Sequence, residues 1–213
     1  MKISYAITVC NEFVEIQRLI TYLLQHKRPQ DEIVVQMDLN MDDFKNQPED
    51  KNQVYAYITK HEELGHIRSI FYSLNNNFAV FKNNLTSHCK GDYIVNIDAD
   101  EVPTETFMAN VVELLEENDM VDVFVVPRWN TVEGLTDTHI AKWGWNIDTL
   151  GRVNWPDYQM RVYKNSEAIR WINPVHEVLN GFNTFAPLPD EMYFHHDKTI
   201  SKQEKQNELY STI

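Results

Sequence analysis

Asp98-Ala99-Asp100-Glu101 is the stretch of this chain best suited to chemistry. Two of its acids stand one residue apart and follow an apolar run, Tyr93-Ile94-Val95, that reads as a buried strand. Gly91 ahead of the run marks a helix end, and Pro103 after it marks a helix start. The acids are therefore expected where a strand stops, and open α/β sheets bind ligands at that carboxyl end. Carboxylate oxygens are hard ligands suited to magnesium or manganese, ions often shared with a substrate phosphate. A surface turn with solvated acids is the competing reading of an Asp-x-Asp taken alone.

The elements that must hold this turn follow from periodicity. Residues 3–9 read as a first strand. Asn11 is placed to cap a helix whose Ile16, Leu19, Ile20, Leu23 and Leu24 form one apolar face, ended by Pro29. Residues 32–37 form a second strand, residues 38–53 a polar loop, and Val54, Tyr57 and Ile58 a helical piece. A third strand at 68–73, a helix at 78–89 and the strand at 93–97 lead into the acids. Phe107, Val111, Leu114 and Leu115 mark a further helix, and residues 121–127 a further strand. This alternation predicts an α/β fold with a mostly parallel central sheet and helices on both faces. Beyond residue 128 the pattern changes. Residues 129–156 read as irregular and aromatic-rich. Strand-like pieces at 159–163, 168–171 and 191–195 predict a small antiparallel addition, and a polar helix at 201–210 closes the chain.

Composition narrows the partners. The length of 213 residues fits one domain that buries roughly 70% of its unfolded surface. The net charge of −13 argues against nucleic acid and against an anionic membrane surface. An anionic substrate then needs a metal ion or a local basic patch. Cys10 and Cys89 read as free thiols, which suits a reducing compartment. No run reaches the roughly 18 apolar residues of a membrane span, so a cytoplasmic location is expected. The closing helical pattern runs up to Ile213, which fits a domain followed by others in a longer protein.

Six segments stand in a telling order: Thr8-Val9-Cys10-Asn11-Glu12, Phe78-Ala79-Val80-Phe81-Lys82-Asn83, the strand into Asp98-Ala99-Asp100-Glu101, Asp157-Tyr158-Gln159-Met160-Arg161-Val162-Tyr163, Val175-His176-Glu177 and His195-His196-Asp197-Lys198. Together they resemble the family 2 glycosyltransferases of the GT-A fold across about residues 3–210. One departure concerns the second strand, which in that family usually ends in paired aspartates followed by Gly-Ser. Here it reads Met37-Asp38-Leu39-Asn40, so Asp38 becomes the candidate for nucleotide binding, one or two positions late.

The resemblance implies a single GT-A domain, with a nucleotide-sugar half at 1–101 and an acceptor half at 102–213. It implies a UDP-sugar donor such as UDP-glucose or UDP-rhamnose, a glycan or glycoprotein acceptor, and inversion. Charge builds on the leaving diphosphate, so a divalent ion bridging its oxygens stabilises the transition state. Asp100 is the expected direct ligand, with Asp98 on the ribose, on a metal-bound water or on the ion itself. Glu101 reads either as a support for those ligands or as a helix-start acid facing the dipole. His195 or His196 supplies a third ligand, and strand alternation allows at most one of them. Imidazole favours manganese over magnesium. Asp157 is the first candidate for the base that takes the acceptor proton, ahead of Glu177 and then His176. Lys82 is the expected cation near the diphosphate, with Asn83 beside it, and Thr8, Asn11 and Glu12 are expected to line the nucleotide edge. All five tryptophans fall in the second half, and two are expected near an acceptor sugar.

Two other readings compete. A sugar-phosphate nucleotidyltransferase needs a Gly-rich basic loop after the first strand, where this chain has Cys10-Asn11-Glu12-Phe13. A non-catalytic carbohydrate- or nucleotide-binding module fits the altered second strand and the negative charge, and donor hydrolysis separates it from an enzyme.

Overall fold

The computed structural model describes residues 1–39 and 48–212. The chain runs β1 (Ile3–Val9), α1 (Phe13–His26), β2 (Glu32–Asp38), α2 (Glu49–Glu63), β3 (Arg68–Tyr72) and α3 (Phe78–Ser87). It continues through β4 (Tyr93–Asp98), β5 (Glu101–Pro103), α4 (Glu105–Glu117), β6 (Val123–Val126), β7 (Arg128–Glu133) and α5 (Asp137–Trp143). The remainder is β8 (Gln159–Lys164), β9 (Arg170–Ile172), β10 (Val178–Asn180), β11 (Phe185–Pro187), β12 (Phe194–Thr199) and α6 (Ile200–Thr212).

Seven strands form the central sheet in the order β11-β6-β8-β4-β1-β2-β3. All pairings are parallel except those of β8, which runs antiparallel between β4 and β6. The fold is the expected mostly parallel α/β sheet. Strands β1, β2 and β4 are almost wholly buried because both faces are covered, which explains their near-continuous apolar runs. Ile3, Tyr5, Ile7 and Val9 join the core beneath α1, α2 and α4, while Ala6, Val34 and Ile94 join a second core with Ala79 and Leu85 of α3. The antiparallel addition consists of the β9–β10 hairpin and a small sheet ordered β5-β12-β7, in which β12 is antiparallel to β5 but parallel to β7.

Several boundaries differ from the sequence reading. Helix α2 begins at Glu49, inside the expected loop, because its first turn is polar and acidic and carries no apolar residue before Val54. Residues 40–47 of that expected loop lie outside the described residues. Residues 129–156 hold β7 and α5; every residue of β7 is at least partly exposed, so no alternation marks it. The strand expected at 191–195 lies at Phe194–Thr199, where charged residues mask the pattern. Asn11 does not cap α1; Glu12 occupies that position and makes no side-chain cap bond. Among the described residues no helix is long and apolar enough to cross a membrane.

The strand that delivers the acids is tightly seated. The Gly91 amide donates to Ser4 Oγ at 2.8 Å, and a Cβ at Gly91 would stand 2.5 Å from the Ser4 amide nitrogen. The β1 backbone at Ile3 and Ser4 would have to shift to admit a methyl group. Gly91→Ala is expected to cost about 2–3 kcal/mol in a urea unfolding experiment, the magnitude of overpacking in a closed core.

Candidate active site

Thr8, Asp38 and Asp98 end or nearly end three adjacent parallel strands, β1, β2 and β4, at the carboxyl edge of the sheet. Thr8 Oγ1 donates to Asp98 Oδ1 at 2.7 Å, and the Ala99 amide donates to the Thr8 carbonyl at 3.0 Å, which turns the chain from Asp98 towards Asp100. Glu101 then starts β5 with its side chain fully buried.

A buried guanidinium fixes this turn. Arg161 of β8 donates through Nη2 to Asp98 Oδ2 and to Glu101 Oε1, each at 2.6 Å. Arg128 of β7 reaches the same Glu101 oxygen at 3.2 Å and grips Asp157 Oδ2 through Nε at 2.9 Å and Nη2 at 2.6 Å. Glu101 is thus held between two arginines. Its reading as a helix-start acid is corrected, because α4 begins only at Glu105 and is capped by Thr104.

From the opposite face, buried Lys82 of α3 stands 2.7 Å from Glu177 Oε1 and 3.6 Å from Asp98 Oδ1, with its ammonium 4.8 Å from the centre of the Trp171 ring. Glu177 precedes β10 and is brought in by the hairpin. Asn83 closes that hairpin onto α3: its Nδ2 donates to the Trp171 carbonyl at 2.8 Å and its Oδ1 accepts from the Trp171 amide at 2.9 Å. His176 is exposed and has a left-handed backbone with φ of 54°.

His196 of β12 is buried and faces Asp100, with Nε2 3.5 Å from Asp100 Oδ2 and Nδ1 2.6 Å from Asn130 Oδ1. His195 points to the other side and is exposed, near the rings of Trp129 and Tyr193. The two histidines divide as strand geometry requires. Asp157 Oδ2 also accepts from Asn130 Nδ2 at 2.8 Å, and its Oδ1 accepts from Gln159 Nε2 at 2.7 Å. Beyond the end of β1, Glu12 Oε2 accepts from the Cys10 and Asn11 amides at 2.8 and 3.0 Å. Asn11 Nδ2 donates to Asp50 Oδ2 at 2.9 Å. Asp38 Oδ1 accepts from the Leu74 amide at 2.9 Å, and Lys51 donates to the Asp38 carbonyl at 3.0 Å.

These contacts set the charges. Burial pushes Asp98 up, but the charges of Arg161 and then Lys82 reverse this and hold it well below the usual carboxylate range. Burial likewise raises Asp100, and the hydrogen bond and charge of His196 bring it down to about 2. Burial of Asp157 is outweighed by Arg128, so it too lies below its ordinary value. Glu12 is raised by burial, with the charge of Asp100 adding to the effect. Lys198 is lowered by burial, partly offset by Asp100.

Asp100 and His196 are the residues that could hold a divalent ion, one through a carboxylate and the other through an imidazole. Asp100 and His196 converge, although among the described residues no group of three or more His, Cys, Asp or Glu side chains is arranged to hold an ion. Magnesium-type ions commonly take one or two protein ligands and complete their shell with substrate phosphates and water. Arg161, Arg128 and Asn130 were not among the sequence candidates. Arg161 stands inside a motif read from the sequence, whereas Arg128 and Asn130 carried no signal.

The model of glycosyl transferase family 2 matches residues 4–179. The chain belongs to that family. S. aureus TarS 1–349 superposes on this family 2 chain with a TM-score of 0.61 at 15% identity, covering 98% of this chain and 63% of that one. The same TarS 1–349 in complex with UDP-GlcNAc gives 0.60 at 14% identity, covering 93% and 59%. In complex with UDP it gives 0.60 at 13% identity, covering 98% and 64%. At such identities the likeness establishes the GT-A fold alone, and the chain spans about three fifths of the length of these TarS chains. Comparison with curated proteins finds no match.

Two outcomes follow from the charge network of this family 2 domain. Arg161→Met leaves Glu101 buried beside a single remaining arginine and is expected to cost about 3–5 kcal/mol, with part of the loss restored by adding Glu101→Gln; chemical unfolding of both variants measures this. Asp98 and Asp100 have folded-state pKa values below their unfolded values, so their stabilisation is present above the unfolded value and is lost as pH falls through the folded one. For Asp100 that window runs from 3.8 to about 2. Melting temperature against pH should fall through this window, and Asp100→Asn should flatten that limb.

Proposed function

We propose that this domain is a metal-dependent glycosyltransferase that moves a sugar from a nucleoside-diphosphate donor, UDP-linked, to a hydroxyl of a glycan or glycoprotein, with inversion. The observation that carries the reading is the meeting of Asp100 and His196 at the carboxyl end of β4, beside an Asp98 held ionised by Arg161 and Lys82. Family membership supports glycosyl transfer, and the TarS structures, one holding UDP-GlcNAc and another UDP, support a uridine diphosphate leaving group.

Asp100 and His196 would hold the ion, manganese in preference to magnesium because one ligand is an imidazole. The ion supplies charge stabilisation for the departing diphosphate. Asp98 is the residue for the ribose or an ion-bound water, and Thr8 and Arg161 fix its orientation. Thr8, Asn11, Glu12 and Asp38 form the nucleotide edge. Lys82, expected beside the diphosphate, is buried with its ammonium committed to Glu177 and Asp98, so its part is to hold those two acids together.

Glu177 takes precedence over Asp157 as the base. Asp157 already accepts four hydrogen bonds, two of them from Arg128, and such a carboxylate is a weak proton acceptor. Glu177 stands beside the Asp98 turn, held through one oxygen by Lys82. His176 is its exposed neighbour in the same loop. The binding-module reading predicts binding of the donor without turnover. The nucleotidyltransferase reading finds no glycine-rich basic loop after β1.

Calorimetric titration of UDP with and without manganese, into wild type and Asp100→Ala, tests the donor site. Binding is expected to need manganese and to be lost in the variant; metal-independent binding would sink the reading. Glu177→Gln should keep manganese-dependent UDP affinity while lowering turnover of the cognate UDP-sugar by about 100-fold or more. Donor hydrolysis across a panel of UDP-sugars reads both turnover and the sugar.

A further inference from the structure

We infer that Asn130 is a positioning residue, which fixes the tautomer of His196 so that Nε2 faces Asp100 with a free lone pair. The inference rests on the metal-dependent reading above for its consequence, but its geometry stands on this chain alone. Asn130 and His196 are direct register partners in the parallel β7–β12 pair, so their side chains share one face.

The orientation of the Asn130 amide is dictated by its surroundings. Its Nδ2 meets two acceptors, Asp157 Oδ2 at 2.8 Å and the Val153 carbonyl at 3.4 Å. Turning the amide over would set its oxygen against both. Asp157 has no proton to offer in return, because Arg128 grips the same Oδ2 through two nitrogens. The amide oxygen is therefore committed to His196 Nδ1, 2.6 Å away. An oxygen at that distance requires Nδ1 to carry the proton. A neutral imidazole then has its lone pair on Nε2, the atom 3.5 Å from Asp100 Oδ2, whereas the hydrogen bond and charge that lower Asp100 belong to the imidazolium, which carries a proton on both nitrogens. Metal-binding histidines commonly have their second nitrogen fixed by such a partner, with effects on affinity of about 10- to 100-fold.

The chain of control runs from Arg128 through Asp157 and Asn130 to His196. It gives the heavily bonded Asp157 carboxylate a purpose other than proton abstraction. The isosteric Asp157→Asn tests it, since the new amide can donate to Asn130 and allow it to turn. Asn130→Leu removes the acceptor directly and guards against loss of the Arg128 pair.

Imidazole 15N shifts are recorded on metal-free protein along a pH series, and the tautomer is read on the alkaline plateau where the shifts no longer change with pH. The His196 signal is assigned by its loss in His196→Gln. Wild type should show the proton on Nδ1. Both variants should show Nε2–H or a mixture, and their manganese affinity in the presence of UDP should fall by about 10- to 100-fold. A wild-type proton on Nε2 overturns the inference, as do variants that keep Nδ1–H or switch tautomer without losing affinity. The two failures are separable: manganese that does not bind wild type at all sinks the metal reading, whereas the tautomer is read without metal.

Discussion

The site depends on one buried guanidinium. Arg161 reaches from the antiparallel strand β8 to the end of β4 and bonds Asp98 and Glu101 through a single nitrogen. Side-chain exposure at this pair is 5% for Arg161 and 0% for Glu101. Removing such charges from water is costly, and the cost is recovered only when each charge finds partners in a fixed geometry. Glu101 therefore has two arginines and Asp98 has Arg161, Lys82 and Thr8. The same requirement holds Asp100 in place, because it stands between the two clamped acids. Strand β8, antiparallel to β4, supplies the arginine from beside the end of that strand.

The balance of charge inside this network connects to the chain as a whole. Carboxylates at Asp98, Asp100, Glu101, Asp157 and Glu177 outnumber the cations Lys82, Arg128, Arg161 and Lys198 near them. Those cations are largely committed to the acids, so they leave little unbalanced positive charge for an incoming diphosphate. A net charge of −13 gives no long-range attraction either. A divalent ion would answer both problems, since the excess of carboxylates would attract it and its charge would offset that of the phosphates. The dependence on metal proposed above thus has an electrostatic reason that is independent of family resemblance.

The first half of the fold was legible because its strands are buried on both faces and its helices keep one apolar stripe. Asp98, Asp100, Lys82, Glu177 and His196 were legible as residues, and the structure brings them within one charged cluster. What periodicity could not reveal lies at partly exposed strands. Arg128, Trp129 and Asn130 of β7 show no alternation, so neither the strand nor the roles of Arg128 and Asn130 could be inferred. Arg161 was visible in its motif, yet pattern alone does not say which acids a buried arginine will meet. The tryptophans separate similarly: Trp171 is a core residue beneath Lys82, while Trp129 and Trp155 meet edge to face and both contact the Arg152 guanidinium, whose carbon is 4.9 and 4.1 Å from their ring centres.

The choice between His195 and His196 shows how core packing governs chemistry at a distance. A strand places alternate residues on opposite faces, so a slip of one residue in β12 would present His195 to Asp100 and expose His196. Phe194 prevents this. It is 1% exposed and meets Phe107 of α4 edge-on, with ring centres 5.0 Å apart. Two residues later on the same face stands His196. Pairing of β12 with β5 on one side and β7 on the other then matches His196 to Glu101 and to Asn130 at the same time. An apolar contact under α4 thereby sets which imidazole faces the acids, and leaves the other among the aromatic rings of the outer surface.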